Sequence, residues 1–420
     1  MKPKILTTLP VYTRQLFLAD TLAGISVAMV ALPLSLAIAI ASGADPGKGL
    51  ITAIVAGFLI SLLGGSRVQI GGPTGAFIVV VFGVIAEHGY DGLVLATLMA
   101  GVILIAAGVL RLGNLIAYVP EPVVNGFTIG IGVIIAASQL PDLFGLTIAD
   151  LPADFLPKMS AMWHARDSLN VTALAIGIAT MVLIVVLRRA APKFPGLLLA
   201  VALTSALVAL ALLPVETVFS RFGALPSALP RPQLPEISVE RLRDLLPSAF
   251  VIAFLAGVES LLSALVADRM IEGRHRPNAE VLAQGAANIG SALFGGLPAT
   301  GAIARTATNI RAGGRTPVAG IVHALVILAV MLVAAPLAGY LAMPALAGLL
   351  ILTAWNMSEP HKWRKHLTAR PSDVMLLLIT LALTVLADLA VAIGVGVALG
   401  LALRLRRGPG GPEGWTPPDR

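Results

Sequence analysis

Two charged side chains inside apolar runs, and two glycine-rich stretches, are the residues of this chain best suited to chemistry. Glu259 lies in Ala256-Gly257-Val258-Glu259-Ser260-Leu261-Leu262-Ser263, within an apolar run near 245–268. If that run crosses a bilayer as a helix rising about 1.5 Å per residue, the carboxyl sits roughly 15–18 Å deep. An ionisable group at that depth marks an ion or substrate path by default. Ser263 follows at i+4 on the same helix face, so the pair offers oxygen ligands suited to taking up and releasing a proton or sodium. Arg305 falls in a second, shorter apolar stretch, 299–311. It either lends positive potential to an anion or neutralises Glu259 in a structural pair.

The glycine-rich stretches are Gly71-Gly72-Pro73-Thr74-Gly75-Ala76 and Gly295-Gly296-Leu297-Pro298-Ala299-Thr300-Gly301-Ala302, alike in order and composition. Each opens a segment too short to cross a membrane alone, about 73–86 and 299–311. Proline suits the first turn of a helix, Thr74 and Thr300 are of the type that caps its open N–H groups, and glycine admits a ligand or a second backbone. Such a helix start carries unpaired donors and the positive end of a dipole. Buried in lipid it would be costly; lining a cavity with an anion, it is satisfied. The predicted anion cradle is Gly72, Pro73, Thr74, Gly75 and Ala76 with Thr300, Gly301, Ala302, Ile303, Ala304 and Arg305, and Glu259 and Ser263 serve a coupling ion. Val68-Gln69-Ile70 and Leu293-Phe294, just before the two motifs, are predicted to pair as a short β-ladder. The alternative is re-entrant packing with no ligand.

The elements that position these residues follow from composition. Of 420 residues, 57% are apolar and 12% charged, about half the charge of a soluble domain. Apolar runs fall near 20–41, 47–64, 91–112, 119–139, 168–189, 195–213, 245–268, 278–294, 316–334, 335–356, 372–388 and 388–406. With the two short segments they make fourteen. Counting all fourteen as crossings puts Lys and Arg on the side of the N-terminus in about threefold excess, as the positive-inside rule requires of a cytoplasmic face. Dropping either short segment would reverse the loops that follow it. Both termini are then cytoplasmic. The proline-rich stretch 214–244 reads as an external linker with room for a short surface helix. It separates seven segments from seven, and an odd number per half makes the halves an inverted repeat. The predicted fold is therefore an all-α polytopic membrane protein of fourteen segments, with repeats over 1–213 and 245–407 and a tail over 408–420.

Other readings narrow. The net charge of +7 lies in short loops between apolar runs, an orientation signal rather than a nucleic-acid surface. The chain has no cysteine, which removes disulfides and thiolate sites. No nucleotide loop, metal cluster or nucleophile–base set is present, so neither an enzyme, a cofactor nor a metal is expected, and the energy source is an ion gradient or the substrate's own gradient. His323, alone in an apolar span, reads as a satisfied packing histidine. A channel on the same scaffold and a nucleobase carrier of similar architecture remain open, and a homodimer is compatible with the plan.

At these residues the chain resembles the SulP (sulfate permease) family of anion transporters. The motifs run in order from Asp20-Thr21-Leu22-Ala23-Gly24 and Ala31-Leu32-Pro33 through Leu63-Gly64-Gly65-Ser66-Arg67 to Gly72-Pro73-Thr74-Gly75. They continue with Glu259-Ser260-Leu261-Leu262-Ser263-Ala264, Ala267-Asp268-Arg269-Met270, Ala283-Gln284-Gly285, Gly295-Gly296-Leu297-Pro298 and Ala304-Arg305-Thr306. The resemblance implies seven plus seven inverted segments in core and gate domains, short strands before the half-helices of segments 3 and 10, and an anion site between those half-helices. It also implies elevator motion of the core and a bacterial inner-membrane location. By the same resemblance Glu259 takes the place of the acidic residue linked to cation coupling, Arg305 that of a cation on the tenth segment, and Phe77 falls near an aromatic lining the pocket. Leu34 stands where many members carry glutamine, so selectivity does not transfer from them. Members usually continue into a cytoplasmic STAS domain, which is expected to be absent here.

Overall fold

A computed structural model describes residues 2–114, 121–149, 151–152, 154–191, 195–387, 391–392, 394–396, 398–400 and 402. A short N-terminal helix, α1 (Lys4–Thr8), precedes α2 (Arg14–Ala41), whose start is capped by the Thr13 hydroxyl accepting from the Leu16 N–H. Pro46 opens α3 (Pro46–Leu63), with Asp45 accepting from Gly47 N–H at 2.8 Å. Strand β1 (Gly71–Gly72) and a 3-10 turn (Gly75–Phe77) lead into α4 (Ile78–Val109). Then come α5 (Glu121–Ser138), α6 (Leu140–Phe144), α7 (Phe155–His164), α8 (Val171–Ala190), α9 (Gly196–Leu210) and α10 (Val218–Phe222). The second half runs α11 (Val239–Ile271), α12 (Pro277–Leu293), β2 (Thr300–Gly301), α13 (Ile303–Arg311), α14 (Val318–Ala338), α15 (Met343–Met357), α16 (Trp363–Leu367) and α17 (Pro371–Leu386).

Seven helices among the described residues are long and apolar enough to cross a membrane. Every expected segment up to the thirteenth has a helix at its place, and the fourteenth, 388–406, lies largely outside the described residues. Several boundaries differ from expectation. The third and fourth segments are two helices, as expected, and they meet without a loop at Gly89, whose φ of 70° breaks the helical path. The run expected to begin at 335 begins at Met343, because Pro336 is absorbed into the end of α14. The expected linker ends early, since Ser238 caps α11 by accepting from Arg241 N–H and carries Glu240 to Asp244 into the helix.

The ladder forms, but from other residues. Gly71 pairs with Gly301 and Gly72 with Thr300, antiparallel. Val68 and Ile70 are held instead by the second half: the Asn309 amide donates to Val68 C=O, Ile70 N–H donates to the Thr306 hydroxyl, and Ala302 N–H donates to Ile70 C=O. Leu293 and Phe294 finish α12.

The helices pack in two groups. α2, α3, α4, α11, α12, α13 and α14 surround the ladder, whereas α5, α6, α8, α9, α15 and α17 pack mainly on one another. Two fully buried carboxylates lock the first group across the halves of the chain. Asp20 on α2 accepts from the N–H groups of Arg315 (2.8 Å) and Thr316 (3.1 Å) and from the Tyr12 and Thr316 hydroxyls. Glu280 on α12 accepts from Gly65 N–H (2.8 Å), Ser66 N–H (3.1 Å), the Ser260 hydroxyl (3.0 Å) and the Gln284 amide (2.9 Å). A buried charge is tolerated when its oxygens are this fully bonded. Each carboxylate grips a loop of the other half, Asp20 the one after α13 and Glu280 the one leading to β1.

Candidate functional site

Beyond the ladder the two short helices begin. Among the described residues, the N–H groups of Gly75 and Ala76 on one side, and of Ile303, Ala304 and Arg305 on the other, have no backbone or side-chain partner. Thr74 and Thr300 were expected to cap these donors and do not. The Thr300 hydroxyl, in the strand, donates to Ala256 C=O at 2.8 Å, and the Thr74 hydroxyl donates to Glu259 Oε2 at 3.0 Å. The threonines are thus spent on α11, and the helix starts keep their open donors.

Arg305 is the largest fully buried side chain, 1% exposed. Its Nη2 donates to Pro73 C=O (3.0 Å) and to the Ser35 hydroxyl (3.2 Å), while Nε and Nη1 have no partner among the described residues. Nη1 lies 2.2 Å from where a Cβ on Gly72 would sit, and Gly72 has φ 151°, so this position excludes any side chain on two grounds. Gly301 is equally tight: its Cβ would lie 1.5 Å from the Gln69 amide nitrogen. Glu259 and Arg305 form no ion pair with each other; the carboxylate is turned to Thr74 and the guanidinium to Pro73 and Ser35. The direct contact of the structural alternative is therefore not made in this arrangement.

Ser263 is fully buried and meets the Thr306 hydroxyl at 3.3 Å. Its hydroxyl therefore faces α13. Phe77, Ala76 and Gly75 are buried, and a Cβ on Gly75 would lie 3.0 Å from Met357 Sδ and 3.2 Å from Ile135 Cδ1. The second helix group therefore covers the first helix start. Ile303 is 40% exposed and Ala304 is exposed, so the second helix start, although mid-chain between spans, faces an open side.

Two further polar residues aim the strands. The Gln69 amide donates to Ser260 C=O (3.1 Å) and to its hydroxyl (3.0 Å), tying β1 to the residue after Glu259. Asn288 clasps Ala299 with both amide atoms, at 2.9 Å each, aiming β2. Ile135 and Met357 gave no signal as apolar residues among many, whereas Glu280 is an acid within an apolar run and could have been flagged as such. His323 is not the satisfied histidine expected: it is fully buried, and neither ring nitrogen has a partner among the described residues. Its Cε1 lies 3.7 Å from the Cβ position of Gly57, which in turn is 3.0 Å from Gly71 C=O. The ring therefore stands one layer behind the ladder.

The profile of the sulfate permease family matches residues 17–380. A putative sulfate transporter of Bacillus subtilis, YvdB, is 44% identical over 380 residues, covering 90% of this chain and 72% of that protein. The bicarbonate transporter BicA of a Picosynechococcus species is 31% identical over 380 residues, covering 88% of this chain and 67% of that one. The solved transmembrane domain of a cyanobacterial BicA superposes with a TM-score of 0.81 at 29% identity, over 92% of this chain and 98% of that one. A solved SLC26A9 structure reaches a TM-score of 0.85 at 18% identity, a likeness of fold alone. A multi-pass helical chain with two donor-lined helix starts meeting at a ladder, matched over most of its length by that profile, belongs to the sulfate permease family.

Proposed function

We propose that this protein is a secondary active transporter of a small anion of the sulfate, bicarbonate or carboxylate class, with the anion held between the two helix starts. One observation carries the reading: a buried guanidinium with two unpartnered nitrogens stands beside five open backbone N–H groups. Donors of this kind, preorganised by the fold, suit an anion that arrives with its own acceptor oxygens. The names of the relatives, a sulfate and a bicarbonate transporter, support that class.

Coupling follows from charge. An ionised Glu259 and a bound anion repel, by roughly 2–3 kcal/mol for unit charges 5–8 Å apart at an effective dielectric of about 20. A cation that neutralises Glu259 therefore strengthens anion binding, and the anion strengthens cation binding by the same factor. H⁺ symport is the preferred form. Na⁺ is the near alternative, favoured by the Thr74 hydroxyl 3.0 Å from the carboxylate, a neutral oxygen such an ion accepts. Segments 1–213 and 245–407 are assigned as inverted repeats. The helix group around the ladder is the moving core and the group around α5 and α15 the gate, an elevator arrangement in a bacterial inner membrane with cytoplasmic termini.

Uptake of a panel of labelled anions into proteoliposomes tests the reading. Saturable uptake driven by an inward proton gradient, lost in Glu259→Gln and weakened by ten- to a hundredfold in anion affinity in Arg305→Lys, is the expected result. Replacing Na⁺ by K⁺ at constant pH separates the two couplings. Concentrative uptake unchanged in Glu259→Gln would refute the coupling role, and a steady anion current far above about a thousand ions per second would assign a channel instead.

A further inference from the structure

On the face of the core that carries the N-terminus, three backbone segments are knotted together. Lys4 N–H donates to Gly64 C=O at 2.9 Å, Arg276 N–H donates to Gly65 C=O at 3.0 Å, and the Arg276 guanidinium donates to Lys2 C=O at 2.7 Å. The knot encloses a cleft of about 250 Å³ lined by Lys4, Arg67, Asp268, Glu272 and Arg274. Asp268 is already taken by His275, through its N–H (2.8 Å) and Nδ1 (2.6 Å). Neither the Lys4 ammonium nor the exposed Arg67 guanidinium has a hydrogen bond or ion pair among the described residues. Burial, then the Arg276 and Arg67 charges, hold Lys4 below the ordinary lysine range against the opposing pull of Asp268. Three cations thus face two carboxylates, Asp268 and Glu272, in this cleft, a net positive charge that a tetrahedral anion would relieve.

What lies beside the cleft decides the source of that anion. Along the same N-terminal stretch Leu6, Leu9 and Val11 are each more than half exposed, and Phe17 and Leu18 continue the apolar strip onto α2. A soluble phosphate has no use for such a strip, whereas an acyl chain lies along it. We infer that this cleft binds the phosphate headgroup of an anionic phospholipid, with its chains against Leu6, Leu9 and Val11. The occupant braces loop 64–67, which Glu280 holds at Gly65 and Ser66 and which runs through Gln69 into β1. Lipid at the cleft therefore stiffens the approach to the first helix start.

The test uses the full chain in nanodiscs of phosphatidylcholine alone or with phosphatidylglycerol, read by thermal unfolding and by lipid retained in native mass spectrometry. Phosphatidylglycerol is expected to raise the unfolding temperature and remain bound. Lys4→Gln with Arg67→Gln is expected to weaken retention by roughly thirtyfold, about fivefold per cation, with the unfolding temperature in phosphatidylcholine unchanged. Arg67→Lys restores most of the effect, and Arg189→Gln, a basic residue on the other helix group, leaves it intact. Equal retention by the Lys4/Arg67 variant overturns the site. Equal stabilisation of wild type by millimolar inorganic phosphate or glycerophosphate keeps the phosphate chemistry but overturns the lipid assignment.

Discussion

The Thr74 hydroxyl donates a 3.0 Å hydrogen bond to the Glu259 carboxylate. It links the residue just before the first helix start to the acidic group on α11 across 185 positions of sequence. A threonine that would otherwise cap its own helix is used instead to hold the acid against the site. Thr74→Val removes this donor while keeping volume. It is expected to reduce gradient-driven uptake about tenfold or more and to change stability by only about 0.5–1.5 kcal/mol, the net worth of one hydrogen bond. Thr74→Ser is expected to retain uptake. Initial rates in proteoliposomes, with thermal unfolding on the same preparations, check both halves.

The outline of this relationship was legible in the sequence and its direction was not. Apolar runs, glycine–proline openings and one mid-span acid announce themselves by length, period and cost of burial. Their helices and the meeting of the two motifs appeared where expected. The hydroxyl of Thr74 had two good acceptors or donors within reach, its own helix start or α11, and only the register set by Gln69 on Ser260 and by Asn288 on Ala299 decides between them. The ladder shifted from 68–70 to 71–72 for a similar reason. Asn309 and Thr306 satisfy the backbone of Val68 and Ile70 from the second half, a match between residues more than 200 positions apart that no local pattern carries.

Two glycines near each other in sequence are predicted to respond oppositely. Gly72 has φ 151°, and a Cβ there would lie 2.2 Å from Arg305 Nη1. Gly72→Ala is expected to destabilise by at least about 1–3 kcal/mol of backbone strain and to displace the guanidinium, raising the KM for the anion. Gly83, on α4, has nothing within 4 Å of its Cβ position. Gly83→Ala is expected to be neutral or stabilising by up to about 1 kcal/mol. Unfolding midpoints of the pair, measured side by side, decide it.

Glu280 accepts four hydrogen bonds while fully buried and contributes nothing open to solvent. Its removal leaves two backbone N–H groups without a partner. Glu280→Ala is therefore expected to destabilise by about 2–6 kcal/mol, at about 1–3 kcal/mol for each of the two buried donors left unsatisfied. Glu280→Gln keeps two acceptor pairs on one oxygen and is expected to lose less. Because the residue acts on the loop rather than on the anion, surviving protein is expected to show a normal dependence on the coupling gradient. Hydrogen exchange at Gly65 and Ser66, accelerated in the variants, reports the loosened loop directly.

Lys158 on α7 joins the two helix groups. Its Nζ stands 5.0 Å from the ring centroid of Phe82 on α4, and the side chain is 3% exposed, whereas α7 itself packs on α5 and α17. A partly desolvated cation–π contact of this kind is worth about 0.5–2 kcal/mol. If the groups slide past each other, the contact favours the arrangement described here and must break in the other. Lys158→Met is expected to shift the equilibrium between the two arrangements by roughly two- to thirtyfold, and Lys158→Arg to restore it. Burial pushes the Lys158 ammonium below the ordinary lysine range, so the charge is lost, and the contact weakened, as pH rises through that lowered value. The shift therefore grows at alkaline pH in wild type and is absent from Lys158→Met. The chain has no cysteine, so a pair of introduced cysteines on α7 and α12 carries spin labels without background. Inter-label distances that ignore both the substitution and the pH would remove Lys158 from any part in the motion.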